Sequence, residues 1–347
     1  MPVNNRYFSI FYVTLMLTGT AIAQTTRDQI SITGGFTPEP LQRKVGEELV
    51  KQFPNFKPPL IQPNSAGLGF KAFCVGTGLA TPDITGGVRT IRPAERELCE
   101  KNGVNEIVEF KVGFDALVAA QAQAGRLREL TRKELFLAMA KDVPDPKDNT
   151  KLISNPYKSW KDINPALPDS KIQIIAPDTL LGFYQSHIDN IMKEGCRRID
   201  SLKALESSDA KAFETVCTNF RKDGLYTESK DLNASLQETK NNPDIVNIVT
   251  FSRALKADLK LITLDGMEPT LLTVSRQNYG LILPIFLYVK KAHVALVPGL
   301  KEYLAEFTSE KAVGTTGYFY DLGVVPMPLT DRQKMREDVK SLRTLPN

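Results

Sequence analysis

The chain has 347 residues, 42% hydrophobic and 24% charged, an ordinary globular composition with length for two cores. Its net charge is +4 and its pI about 8.7. No basic block accompanies that charge, so nucleic acid has no support as a partner.

The chain opens like an export signal. Arg6 is the only charge before Arg27, residues 7–17 are apolar, and Ala21-Ile22-Ala23 before Gln24 makes a cleavage site. Residues 1–23 are therefore expected to be removed. The apolar run is too short and wrongly flanked to favour a membrane span, the other reading being an uncleaved anchor. No cysteine follows the cleavage site to carry a lipid anchor.

Residues 30–53 then set the pattern. Ile30 and Ile32 alternate with Ser31 and Thr33, which predicts a half-buried strand. Gly34-Gly35 makes a turn. Leu41, Val45, Leu49 and Phe53 recur every four residues, on one helical face. In an open α/β sheet such a turn lies where ligands bind.

A second small-residue turn spans 64–69, with a helix from Phe70 to Cys74, and a third turn spans 83–89. A helix over 92–102 is stopped by Gly103, and strands are expected over 107–112 and 116–120. Thr131 caps a helix to Met139, with Glu134 completing a capping box. Residues 142–155 are proline-rich and polar and read as a long loop. A strand over 172–175 leads to a fourth turn at 176–182, then a helix with Gly195 as its C-cap. Residues 207–221 are amphipathic. Strands follow at 245–250 and 259–264, and at 281–289 with Pro284 interrupting. A helix over 300–307, a turn and strand over 314–325 and a surface helix over 330–345 complete the chain. Strands alternating with helices predict the α/β class.

The four cysteines are Cys74, Cys99, Cys196 and Cys217, with no CxxC. An even count in an exported chain reads as two disulfides. Pairing neighbours gives Cys74–Cys99 and Cys196–Cys217; the other reading is four buried thiols. Zinc fits less well, because the only histidines, His187 and His293, lie far apart.

At its four turns the chain resembles the phosphate-binding proteins of bacterial ABC transporters. The pieces are ISITGGFTPEPL, GLGFKAFC, PDITGGVRTI, LCEKNGV, LFLAMAKDVP, NPYKSWKDI, YVKKAHVALVPGLKEYLAEFTSEKA and GVVPMP, in order over about residues 28–340. The resemblance implies a two-lobe type II periplasmic-binding fold, with a ligand cleft between lobes that closes by a hinge. It implies lobe 1 at 24–114, lobe 2 at 115–289, and a return to lobe 1 with a C-terminal helix over 290–347. It puts each cysteine pair within one lobe. It also implies a periplasmic monomer, phosphate or a related small ligand, and an inner-membrane ABC permease as partner. No cofactor is implied.

This family holds phosphate with small hydroxyl residues and backbone N–H groups at the turns, plus an arginine. An anion stripped of water needs its oxygens satisfied. Here the turns depart from that pattern. The first, usually Gly-Ser-Ser-Thr, is Gly34-Gly35-Phe36-Thr37, followed by Pro38 and Glu39. The second has Ala66 where a hydroxyl is usual, and keeps Gly67 and Gly69. The third, usually Ala-Ser-Arg, is Gly87-Val88-Arg89. The fourth, usually Thr-Ser-Gly-Thr, is Leu180-Leu181-Gly182-Phe183. By position the ligand residues are thus Thr37, Gly67, Gly69, Arg89 and Gly182, with Phe36, Leu181 and Phe183 where hydroxyls are usual.

Micromolar affinity amounts to about 8 kcal/mol, and hydrogen bonds to a charged group to about 1.5–3 kcal/mol each. At least five replaced hydroxyls therefore predict a phosphate site largely lost. Phe36, Leu180, Leu181 and Phe183 either line an apolar pocket for another ligand or plug the cleft. A plugged cleft would make the chain an interaction or structural protein on the same fold. Catalysis has no support, since neither Thr37 nor Ser65 has a histidine at useful spacing and no metal set or triad appears. Arg89 also reads as a bridge to surface carboxylates, His187 as a core or solvated residue, His293 as structural, Asp83 as organising its turn, and Trp160 as part of a surface turn.

Overall fold

The alternating segment near the start folds as β1 (Ser31–Gly34), with Ile32 buried. A computed structural model describes residue 1 and residues 27–346. Apart from Met1, the expected export signal lies outside the described residues. The further strands are β2 Leu60–Pro63, β3 Ile84–Gly87, β4 Ile107–Gln121, β5 Glu129–Leu130, β6 Asp142–Asp145 and β7 Asp148–Ser154. After these come β8 Gln173–Pro177, β9 Tyr226–Ser229, β10 Ile245–Thr250, β11 Lys260–Leu261, β12 Thr263–Leu264 and β13 Ile282–Lys290.

A nine-stranded sheet runs β2-β1-β3-β13-β4-β10-β8-β9, with β11 also on β4. β1 is parallel to β2 and β3, and β8 is parallel to β9 and β10. Between these parallel groups β13 and β4 run antiparallel to each other and to their outer neighbours. Parallel neighbours need crossover connections, and the helix Glu39–Gln52 supplies one between β1 and β2. Its Leu41, Val45 and Leu49 are buried. Phe53 sits past its end, 41% exposed and packed on Phe56.

β4 joins the two halves of the sheet. Residues 107–116 pair with β13, and 117–121 with β10 and β11. The sequence predicts two strands here, and the fold makes one. Gly113 is the apparent break, but it is a close approach: a Cβ there would stand 2.4 Å from Val324 Cγ1. β4 is buried along nearly its whole length, so no alternation shows its continuity.

Other expectations change for local reasons. The 142–155 stretch is the hairpin β6–β7, not a loop, with Val143 opposite Ile153 and a register shift after Pro144. A proline is tolerated in a two-stranded edge ladder. Gly195 is no cap, because the helix continues to Arg197, and a Cβ on Gly195 would stand 2.2 Å from the Arg132 carbonyl. Residues 207–221 split between the helices Asp200–Ser208 and Ala210–Thr218, and Asp209 caps the second by accepting from Ala212 N–H at 2.9 Å. The helix after the second turn starts at Ala66 rather than Phe70, capped by Ser65. The third turn is partly strand, as β3. Trp160 is fully buried rather than at the surface.

The Thr131–Glu134 capping box and the helix Leu300–Phe307 form as predicted. Both neighbour disulfides are present. Cys74–Cys99 joins the helices Ala66–Phe73 and Pro93–Lys101, and Cys196–Cys217 joins Glu194–Arg197 to Ala210–Thr218.

Candidate functional site

The carboxyl ends of β1, β8 and β10 face one hollow of about 200 Å³ where the crossing strands pass between the lobes. Phe36 and Thr37 enter it from the loop after β1. Leu181, Gly182 and Phe183 enter from the loop after β8. Thr250 ends β10, and Ser252, Arg253 and Lys256 lie on the helix Phe251–Lys256 that follows. Asp115 of β4, Ile285 of β13 and the segment 322–324 close the remaining sides.

The glycine turn after β1 has a steric cause. Gly34 has φ +123, and a Cβ there would stand 2.6 Å from Gly86 N. Only glycine fits that approach. Gly35 N–H then donates to the Gly86 carbonyl at 2.8 Å. Gly69 serves the same packing, since its Cβ would stand 2.5 Å from Gly34 Cα. Gly67 and Gly69 lie in the helix Ala66–Phe73 and are not part of the hollow's lining.

Arg89 is also outside the lining. Its guanidinium donates to both Glu95 oxygens, at 2.8 and 2.6 Å, and to the Thr90 carbonyl at 2.9 Å. Glu95 in turn accepts from Arg92 N–H at 2.9 Å at the start of the helix Pro93–Lys101. The arginine thus braces a helix start.

Asp115 is the buried carboxylate of the site. It accepts from Ala116 N–H at 2.8 Å, Ser252 N–H at 3.1 Å and Ser252 Oγ at 2.6 Å. Burial pushes its pKa up, against these hydrogen bonds. The Thr250 and Ser252 hydroxyls are 3.2 Å apart.

Arg253 and Lys256 supply the positive charge. Neither has a carboxylate within ion-pair distance among the described residues. Burial and the neighbouring Arg253 hold the Lys256 ammonium below its ordinary pKa, while Asp321 and Asp115 pull the other way. Two cations without carboxylate partners, beside hydroxyls in a partly enclosed hollow, favour an anion.

The apolar share of the wall is large. Phe183 and Leu181 are buried, Phe36 is 40% exposed at the rim, and Leu180 projects outside the lining. The sequence reading found four turns and missed this fifth one. The signal was Thr250-Phe251-Ser252-Arg253, hydroxyls and a cation directly after a strand.

The remaining candidates are structural. Asp83 is fully buried, pairs with Arg27, accepts from Ser31 N–H at 2.7 Å and lies 2.6 Å from His293 Nδ1. His293 Nε2 is 2.8 Å from the Thr77 carbonyl. His187 is buried and stacked on Phe220 at 5.6 Å, and burial pushes its pKa down to about 3. Among the described residues no His, Cys, Asp and Glu group could hold a metal, and no helix is long and apolar enough to cross a membrane.

Comparison with known proteins places this geometry. The PBP superfamily domain matches residues 19–311. The phosphate-binding protein PstS of Staphylococcus epidermidis is 24% identical over 315 residues, covering 88% of this chain and 81% of the relative. The PstS of Staphylococcus haemolyticus is 26% identical, covering 82% and 78%. The crystal structure of a possible phosphate binding protein from Planctomyces limnophilus superposes with a TM-score of 0.60 at 22% identity, covering 91% of this chain and 99% of that one. An ABC-type phosphate transport receptor from Vibrio cholerae superposes at 0.57 with 17% identity, covering 86% and 100%. With the two-lobed sheet and a domain match over most of its length, the chain belongs to the PBP superfamily, the type II periplasmic-binding fold.

Proposed function

We propose that this chain is an exported solute receptor that captures phosphate or a related small oxyanion between its lobes and presents it to an ABC-transporter permease. The observation that carries the reading is the pair Arg253 and Lys256, cations without carboxylate partners in the interlobe hollow. Thr37 offers a hydroxyl beside them, and Gly182 offers its backbone N–H. The role the family gives to an arginine of the third turn passes in this reading to Arg253, with Arg89 engaged by Glu95. Gly67 and Gly69 shape the neighbouring turn.

The lobes of this reading are residues 24–114 with 290–347, and 115–289. The switch of β4 partners after Ala116 supports that division. The relatives named above are phosphate-binding proteins and transport receptors, which supports the solute class. Removal of residues 1–23 would leave a periplasmic monomer without catalytic activity. A plugged cleft is disfavoured, because the hollow stays open beside Phe36 and Phe183.

Thermal unfolding of refolded, ligand-free protein tests the reading. An oxyanion at a hundredfold its dissociation constant stabilises by about 2.7 kcal/mol. A panel of phosphate, pyrophosphate, sulfate and small organophosphates should raise the melting temperature with at least one member. No shift with any of them sinks the proposal.

A further inference from the structure

The donors of the hollow come mainly from one segment and its carbon from two others. Residues 250–256 bring two cations, with the Thr250 and Ser252 hydroxyls turned onto each other and Asp115, whereas the loops after β1 and β8 bring Phe36, Leu181 and Phe183 beside Thr37 and Gly182. A bare tetrahedral oxyanion shows oxygen in every direction. Enclosed here, it would turn some oxygens toward carbon, and a charged oxygen without a donor is costly. The volume points the same way. About 200 Å³ is room for several waters, more than such an ion fills.

We infer that the preferred ligand is an organic phosphoryl compound, a phosphonate or phosphate monoester with a compact apolar substituent. This rests on the receptor reading above and names its ligand class. The oxyanion end meets Arg253, Lys256 and the Thr37 hydroxyl. The substituent packs against Phe36, Leu181 and Phe183, where its burial is favourable and its carbon asks for no donor. The residues that weaken the hollow for inorganic phosphate are the ones that suit it to the ester.

Titration calorimetry on the refolded, ligand-free chain tests this, with phenylphosphonate, inorganic phosphate and benzyl alcohol as probes. Phenylphosphonate should bind at least tenfold more tightly than phosphate, and benzyl alcohol should not bind measurably. Phe36→Ser, at an exposed position, and Leu181→Ser should each weaken phenylphosphonate severalfold and strengthen phosphate, so that the gap between the two ligands narrows. Phosphate binding as tightly as phenylphosphonate overturns the inference and leaves the receptor reading standing. Binding of neither anion overturns the inference, and the receptor reading falls with it only when the wider anion panel gives no shift either. Equal binding of benzyl alcohol and phenylphosphonate also overturns the inference, because the cations would then have no role.

Discussion

Gly323 lies directly against Ser252. Its φ is +91, and a Cβ on it would stand 2.4 Å from Ser252 Cβ. The contact joins the 322–324 segment to the start of the helix Phe251–Lys256, on the wall of the hollow. Gly323→Ala therefore meets both a left-handed backbone and a clash. Strain of this kind costs roughly 1–3 kcal/mol. Urea unfolding should show that loss together with weaker anion binding. A variant within about 0.5 kcal/mol of the parent, like an ordinary surface change, would show that the contact relaxes freely.

Arg89 and Arg253 separate a brace from a binding group. Arg89→Ala removes the bidentate pair with Glu95, where both side chains are partly shielded. The exposed share of that pair limits the loss to about 1 kcal/mol of stability. Anion affinity, measured by calorimetry, should stay within about threefold of the parent, roughly 0.7 kcal/mol. A tenfold loss would return Arg89 to the ligand set.

His187 gives the fold an acid-sensitive point. Its folded pKa is about 3, below the ordinary 6.5, because both ring nitrogens are buried without partners. Between those values the unfolded chain binds the proton and the folded chain does not. The contribution is therefore complete above pH 6.5 and is lost as pH falls, at up to about 1.4 kcal/mol per pH unit. His187→Phe keeps an aromatic partner for Phe220 and removes the titration. Its stability should fall less steeply from pH 6.5 to 4 in denaturant titrations. Parallel slopes would assign the acid response elsewhere.

The disulfides close short loops, with sequence separations of 25 and 21. In the chain-entropy account each contributes about 3 kcal/mol. Replacing Cys196 and Cys217 together by serine should lower the melting temperature by several degrees without changing which anions bind. An unchanged melting temperature would mean that packing alone holds this corner.

Local chemistry made part of this fold legible. Ile30, Ile32, Leu41, Val45 and Leu49 announced the first strand and helix, and the Thr131–Glu134 box announced another helix start. What stayed hidden was set by distant contacts. β4 looked broken at Gly113 because the reason for that glycine, Val324, lies far along the chain. The β6–β7 hairpin looked like a loop because its proline and polar residues sit in a small edge ladder. The site divided in the same way. Phe36, Thr37, Leu181, Gly182 and Phe183 were named from their turns and share one hollow. Arg253 and Lys256 are not named there: hydroxyls and a cation after β10 are a local signal, but whether a cation lacks a carboxylate partner is set by distant contacts.

The most direct test of the account compares the parent chain with Arg253→Ala by titration calorimetry, using one anion that raises the parent's melting temperature. The variant should lose at least tenfold in affinity, about 1.4 kcal/mol, with the fold intact by circular dichroism. Equal affinity in the two proteins would place the anion away from this hollow and contradict the account.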